Sequence, residues 1–227
     1  MIQFYFNLSP NPMKVALALE EMGLPYEPKV LDTRKGAQFT PEFLALNPNA
    51  KVPAIVDGET TVFDSNAILL YLAEKTGQFG VAPGDKARGE FLSWTMFVAS
   101  GIGPFSGQAV HFKHFAPEKV PYANTRYQYE AERHYRVLDE RLAGREFLVG
   151  DTYTVVDMAA WGWARMVPFI LGDDAFARFP NVKRHLDMIS ARPAAQRVEA
   201  FRTEQGPHFK PDMDAEARGH MFKHLAA

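Results

Sequence analysis

Apolar and polar positions change period along the first third of the chain. Ile2 to Phe6 is a short apolar stretch of strand character. Asn11 to Met22 reads as a helix, with Val15, Leu17, Ala18 and Leu19 on a broad apolar face and Gly23 as its stop. Tyr26 to Leu31 reads as a second strand, and the polar loop DTRKGAQFT then leads to a helical turn in PEFLALNP. Lys51 to Val56 and Thr60 to Phe63 read as strands joined through Asp57-Gly58, a hairpin signal. Ser65 to Lys75 is a strongly apolar helix. Residues 1–77 therefore predict β-α-β-α-β-β-α.

The stretch TGQFGVAPGD is rich in Gly and Pro and reads as a linker over 78–86. After it the strand signals stop. Ala87–Ser100, Tyr122–Leu142, Val155–Ile170 and Val182–Ser190 favour helix, and Tyr127, Ala131, Leu138 and Leu142 follow the spacing of one buried face. Gly101, Gly103, Pro104 and Gly107 predict a kink or break after the first of these helices. The expectation is a small α/β domain over 1–77, an all-helical domain over 87–203, and a loose polar tail over 204–227.

Composition narrows the function classes. The 227 residues suffice for one large domain or two modest ones, and 47% hydrophobic content is that of a globular chain. With 25 Lys+Arg against 27 Asp+Glu, no basic stripe points to nucleic acid. No apolar run reaches membrane-spanning length, and the N-terminal stretch lacks the pattern of a signal peptide, so the expected location is cytoplasmic. There is no cysteine, which excludes disulfide staples, thiolate metal sites and Cys-x-x-Cys redox chemistry within the chain. His111 and His114 lie three apart without a third ligand, so no metal is expected.

Three short segments carry candidate chemistry. In Ser9-Pro10-Asn11-Pro12, Asn11 fits a helix N-cap and Pro12 the first helical position. The same knot can also bind: Ser9 offers a hydroxyl, Asn11 an NH₂, and the helix start partial positive charge, which together suit a small anion such as a thiolate. In NAKVPAIVD, a cis Val52–Pro53 bond would turn the Val52 N–H and C=O outward to pair with an extended peptide; a plain proline before a strand is the alternative. Lys51 beside it is either an exposed lysine or a partner for a carboxylate. Asp64-Ser65 stands where a strand meets a helix. It serves as a cap, or Ser65 binds a carboxylate at the helix N-terminus while Asp64 holds an ammonium. The three segments describe a ligand with an amino-acid end, a peptide middle and a thiol.

With NPNAKVPAIVD, DSNAILLYLAEKTG and FLVGDTYTVVDMAAWGW in that order, the chain resembles the cytosolic glutathione transferases over about residues 1–200. It is most similar to the bacterial Nu class and the related fungal nitrogen-regulator proteins through SPNPMKVALALEEMGLPYE, KGAQFTPEFLALNPNAKVPAIVD and VPYANTRYQYEAERHYRVLDERL. The resemblance implies a thioredoxin-like α/β N-terminal domain followed by an all-α C-terminal domain, with glutathione as co-substrate. It implies that Ser9-Pro10-Asn11 takes the place of a Thr-Pro-Asn motif at the glutathione sulfur. Gln38 would lie near the glycine end, Asp64-Ser65 would replace a Glu-Ser pair, and Arg126 would approach the site from the helical domain and act as a catalytic residue with Ser9 and Asn11, steadying the negative charge at the sulfur. Arg126 also reads as a surface pair with Glu130, worth about 0.3–0.5 kcal/mol. Thr154 and Asp157 form a helix cap, and Trp161, Trp163, Phe105, Phe112 and Tyr122 read first as packing residues. The implied partners are glutathione and a small electrophile or disulfide, with a homodimer as the assembly. A binder or regulator that kept the fold without chemistry is the other implied class.

Overall fold

The structure is a computed structural model and describes residues 1–223. It forms two compact units, Met1–Thr76 with the chain from Pro193 onward, and Gly77–Arg192.

The first unit is built on a four-stranded mixed sheet in the order β2-β1-β3-β4. β1 (Ile2–Phe6) runs parallel to β2 (Tyr26–Val30), and antiparallel to β3 (Ala54–Asp57), which pairs antiparallel with β4 (Thr60–Phe63). Alternation along β1 buries Ile2, Phe4 and Phe6, as period two requires. The β3–β4 loop is Gly58-Glu59, where Gly58 takes φ +62°, a value that glycine adopts without strain. α1 (Pro10–Glu21) buries Pro12 through Leu19, and α3 (Ser65–Thr76) buries Ile68, Leu69 and Leu72. α2 (Pro41–Leu46) is a short helix capped by the Thr40 hydroxyl, which accepts from Phe43 N–H.

The second unit is helical. α4 (Arg88–Phe97) passes through a π-helical stretch, Val98–Ile102, into α5 (Gly103–Val110). The expected break is thus a local loosening rather than a stop. Gly101 is required there, because a Cβ would fall 2.5 Å from the His134 ring. A second π-helical stretch, His111–Phe115, precedes α6 (Pro121–Leu142). α7 (Val155–Ala164) is buried along its whole length. It starts on a capping box in which Asp157, itself fully buried, accepts from Thr154 N–H, the Thr154 hydroxyl, Leu148 N–H and the His185 ring. The helix expected over 155–170 is divided: α7 stops at Ala164, and α8 (Val167–Leu171) restarts with Pro168 in its first turn. α9 (Ala175–Arg178) and α10 (Pro180–Ser190) complete the unit. The stretch expected as a linker is pinned within it: Phe79 C=O accepts from Val155 N–H at 2.9 Å, and Arg88 donates to Val81 C=O at 2.6 Å.

The expected boundary at 203 and the loose tail differ from the structure. α11 (Pro193–Gln205) belongs to the sheet unit, where Arg197 pairs with Glu20 and Phe201 packs 4.9 Å from Phe6. Beyond it, α12 (Ala215–Met221) is capped by Asp214. The segment between these helices is tied to the loop after β2. Asp32 accepts from Lys210 N–H at 2.7 Å, and Arg34 donates to the carbonyls of Lys210 and Pro211 at 2.8 and 2.6 Å. Polar residues here bind backbone, which hydrophobic patterning does not register. Residues 224–227 of the expected tail lie outside the described residues.

Candidate functional site

Strand register gathers the candidate residues of the first unit. β1 and β2 are parallel, so Phe6 and Val30 lie side by side where both strands end. β3 runs back, so its first residue, Ala54, pairs with Tyr5 and with Phe63, the last residue of β4. Ser9 and Asn11 follow β1, Gln38 follows β2, Lys51 to Pro53 precede β3, and Asp64 and Ser65 follow β4. The topology therefore places all of them beyond one end of the sheet.

The knot after β1 starts its helix one residue earlier than expected. Ser9, not Asn11, is the N-cap residue, because Pro10 has no N–H to satisfy and fits the first helical position; Asn11 is second. The Ser9 side chain does not cap. Its hydroxyl donates to Asn7 Oδ1 at 2.6 Å, Ser9 N–H donates to the same oxygen at 3.0 Å, and Asn7 Nδ2 donates to Thr33 Oγ1 at 3.1 Å. Ser9 is exposed and Asn11 half-buried.

The Val52–Pro53 bond is cis. The Val52 side chain packs on the cluster of Leu31, Phe43 and Ala54. Lys51 is exposed, and its carbonyl accepts from Asn47 Nδ2 at 2.7 Å. Gln38 is buried on a short 3₁₀ turn, and its Oε1 has no hydrogen-bond partner among the described residues. An orphaned buried amide oxygen fits a site completed by a ligand's N–H.

Asp64 takes φ +67° and caps α3: its Oδ1 accepts from Asn66 N–H at 2.8 Å and Ala67 N–H at 3.2 Å. Ser65 is buried at the first position of that helix. The partial positive charge of a helix start beside an exposed carboxylate is a fitting dock for a zwitterionic amino-acid end.

Sequence reasoning missed Lys14. It stands on the buried face of α1 with 1% exposure, and its Nζ donates to Asn66 Oδ1 at 3.0 Å. Burial lowers its pKa to about 7, against an upward pull from the Asp64 carboxylate. The available signal was a lysine set between Met13 and Val15 on the apolar face.

Arg126 belongs to the helical unit, where its Nη1 donates to Glu130 Oε1 at 2.6 Å. Glu130 is buried and also accepts from Arg133 at 2.9 and 3.0 Å. Arg133, with Arg126 beside it, holds the Glu130 carboxyl below the usual carboxylate range. The ion-pair reading of Arg126 is thus the one its own unit displays. His114 stacks on Phe169 and bonds its carbonyl at 2.9 Å. Among the described residues no three His, Asp or Glu side chains group as a metal site, and no helix is long and apolar enough to cross a membrane.

Comparison with known proteins gives the family of the chain. The N-terminal domain model of glutathione S-transferase matches residues 8–75, and the C-terminal domain model matches residues 111–193. The chain is 44% identical over 201 residues to the disulfide-bond oxidoreductase YfcG of Escherichia coli, covering 86% of this chain and 92% of that one. A glutathione transferase family member from Pseudomonas fluorescens, solved with two glutathiones bound, superposes with a TM-score of 0.80 at 41% identity, over 87% of this chain and 91% of the other. A glutathione transferase from Phanerochaete chrysosporium, solved with oxidized glutathione, superposes with a TM-score of 0.85 at 33% identity, over 91% and 96%. A thioredoxin-like sheet unit, a helical unit and matches to both family models identify the chain as a member of the glutathione S-transferase family.

Proposed function

We propose that the chain is a glutathione-dependent enzyme of the Nu type that activates the thiol of bound glutathione without a protein cysteine and uses it to reduce disulfides. Conjugation to electrophiles and peroxide reduction are the accompanying reactions open to the same thiolate. The observation that carries this is the convergence of Ser9, Asn11, Gln38, Lys51, Val52, Pro53, Asp64 and Ser65 beyond one end of the sheet, in a chain that lacks cysteine. Asp64 takes the ligand ammonium, Ser65 and the start of α3 take its α-carboxylate, Val52 faces the peptide middle, and Gln38 and Lys51 serve the glycine end.

The energetics suit the thiol. A free thiol has a pKa near about 8.5, and a drop of roughly two units, about 2.7 kcal/mol, makes it mostly thiolate at neutral pH. One hydrogen bond to a charged group supplies about 1.5–3 kcal/mol and a helix start about 0.3–1. Ser9 must release Asn7 to donate to sulfur. That trades a neutral hydrogen bond for a charge-assisted one, about twice as strong. Ser9, Asn11 and the head of α1 therefore suffice, and the reading leaves Arg126 with Glu130. The thiolate attacks one sulfur of a disulfide, forms a mixed disulfide and expels the other sulfur as a thiolate. A second glutathione thiolate then attacks the mixed disulfide, giving oxidized glutathione and the second reduced thiol.

The relative YfcG, named a disulfide-bond oxidoreductase, supports this choice of reaction. The enzyme is proposed as a cytoplasmic homodimer. The test is glutathione-dependent reduction of a small disulfide at neutral pH, in wild type and Asn11→Ala. Turnover that falls by about 10–100-fold in the variant is expected from the loss of one charge-assisted hydrogen bond. No turnover in wild type would defeat the reductase reading and leave conjugation, or glutathione binding by a regulator, in its place.

A further inference from the structure

Lys14 is fully enclosed, and an ammonium carries three donors. Among the described residues it has one hydrogen-bond acceptor, Asn66 Oδ1 at 3.0 Å. A buried charge so poorly satisfied is costly and gains from an added anion. Asn66 lies in the first turn of α3, and its own N–H is held by the Asp64 carboxylate. The lysine thus reaches the same helix start where the amino-acid end of the ligand docks. Asp64 already occupies part of its Oδ1 with the N–H groups of Asn66 and Ala67. When Asp64 takes the ligand's ammonium, the ligand's α-carboxylate brings the anion that Lys14 lacks.

We propose that Lys14 is a buried specificity group of the site: its ammonium recognises the α-carboxylate of a γ-glutamyl ligand through the first turn of α3. This rests on the glutathione reading given above. Burial keeps Lys14 near pKa 7 in the free protein, and among the described charges Asp64 is the one that pulls it upward. A carboxylate at the helix start adds to that upward pull. Around pH 7–8, binding therefore takes up a proton.

The probe is S-methylglutathione, which has no free thiol, together with its analogue in which 4-aminobutyryl replaces γ-glutamyl and removes only the α-carboxylate. Calorimetric affinities are measured for wild type and Lys14→Met. In wild type, losing the carboxylate is expected to weaken binding by at least about 30-fold, as for a buried charge pair. In Lys14→Met the same change is expected to cost less than about a third of that factor, because the partner is gone. Equal losses in both proteins would overturn the proposal. Should Lys14→Met not fold, wild-type binding measured at pH 7.5 in two buffers of different ionisation enthalpy decides alone: net proton uptake supports the proposal, and none overturns it. Wild type that binds S-methylglutathione but turns over no disulfide sinks the reductase reading and leaves Lys14's role standing. Wild type that binds neither probe overturns both.

Discussion

At the scale of the residue, the free protein bears a cost at Lys14 that depends on pH. The unfolded lysine titrates at 10.5 and the folded one at about 7. Below pH 7 both states hold the proton, and folding carries the full penalty of burying it. Between pH 7 and 10 the unfolded chain holds a proton that the folded chain has lost, so stability rises with pH. Relative to Lys14→Met, wild type is expected to gain up to about 1.4 kcal/mol per pH unit across that window, read from urea midpoints. Parallel curves for the two proteins would show that Lys14 does not titrate there. This residue was illegible in the sequence because lysines are so rarely enclosed that one inside an apolar helical face is assigned to its edge. The cap at Asp64 was legible, since a carboxylate where a strand meets a helix is a usual cap. The shift of the N-cap from Asn11 to Ser9 came from two candidate prolines, Pro10 and Pro12, either of which can head a helix.

At the scale of the element, the segment after α11 acts on the loop that carries Gln38. Asp32 splits its carboxylate between Arg34 N–H and Lys210 N–H, Arg34 grips two tail carbonyls, and Phe209 meets Phe6 edge to face at 5.7 Å. The loop approaches α12 so closely that a Cβ on Gly36, at φ +75°, would lie 2.6 Å from the His220 ring. Lys223 Nζ sits 4.5 Å over the Phe39 ring. Removing residues 206–227 is expected to raise the glutathione KM about 3–10-fold while kcat stays within about 2-fold, the size of one or two lost hydrogen bonds. Arg34→Ala is the milder form of the same change. An unchanged KM in both would mean that the loop holds itself. The strands and major helices were legible because periods of two and 3.6 mark buried faces. The tail was not, because its anchors are single polar side chains.

At the scale of the whole molecule, the order of strands then helices predicted a thioredoxin-like unit followed by a helical one, and family and fold both agree. What the order of elements could not show is that the chain returns: α11 packs on the sheet unit through Phe201 and Arg197. Its polar face reads the same whether it ends a helical domain or covers a sheet. The proposed homodimer is tested by light scattering at micromolar concentration, with twice the mass of one chain expected; the mass of a single chain would contradict it.

The activated thiol is the point on which the function turns, and its ionisation can be titrated. Ultraviolet difference absorbance of glutathione bound to wild type and to Asn11→Ala, followed against pH, reads the thiolate itself. In wild type the midpoint is expected about two units below the free thiol's value of about 8.5, returning toward it in the variant. A wild-type midpoint near that of free glutathione would mean that the Ser9–Asn11 knot holds the ligand without activating it.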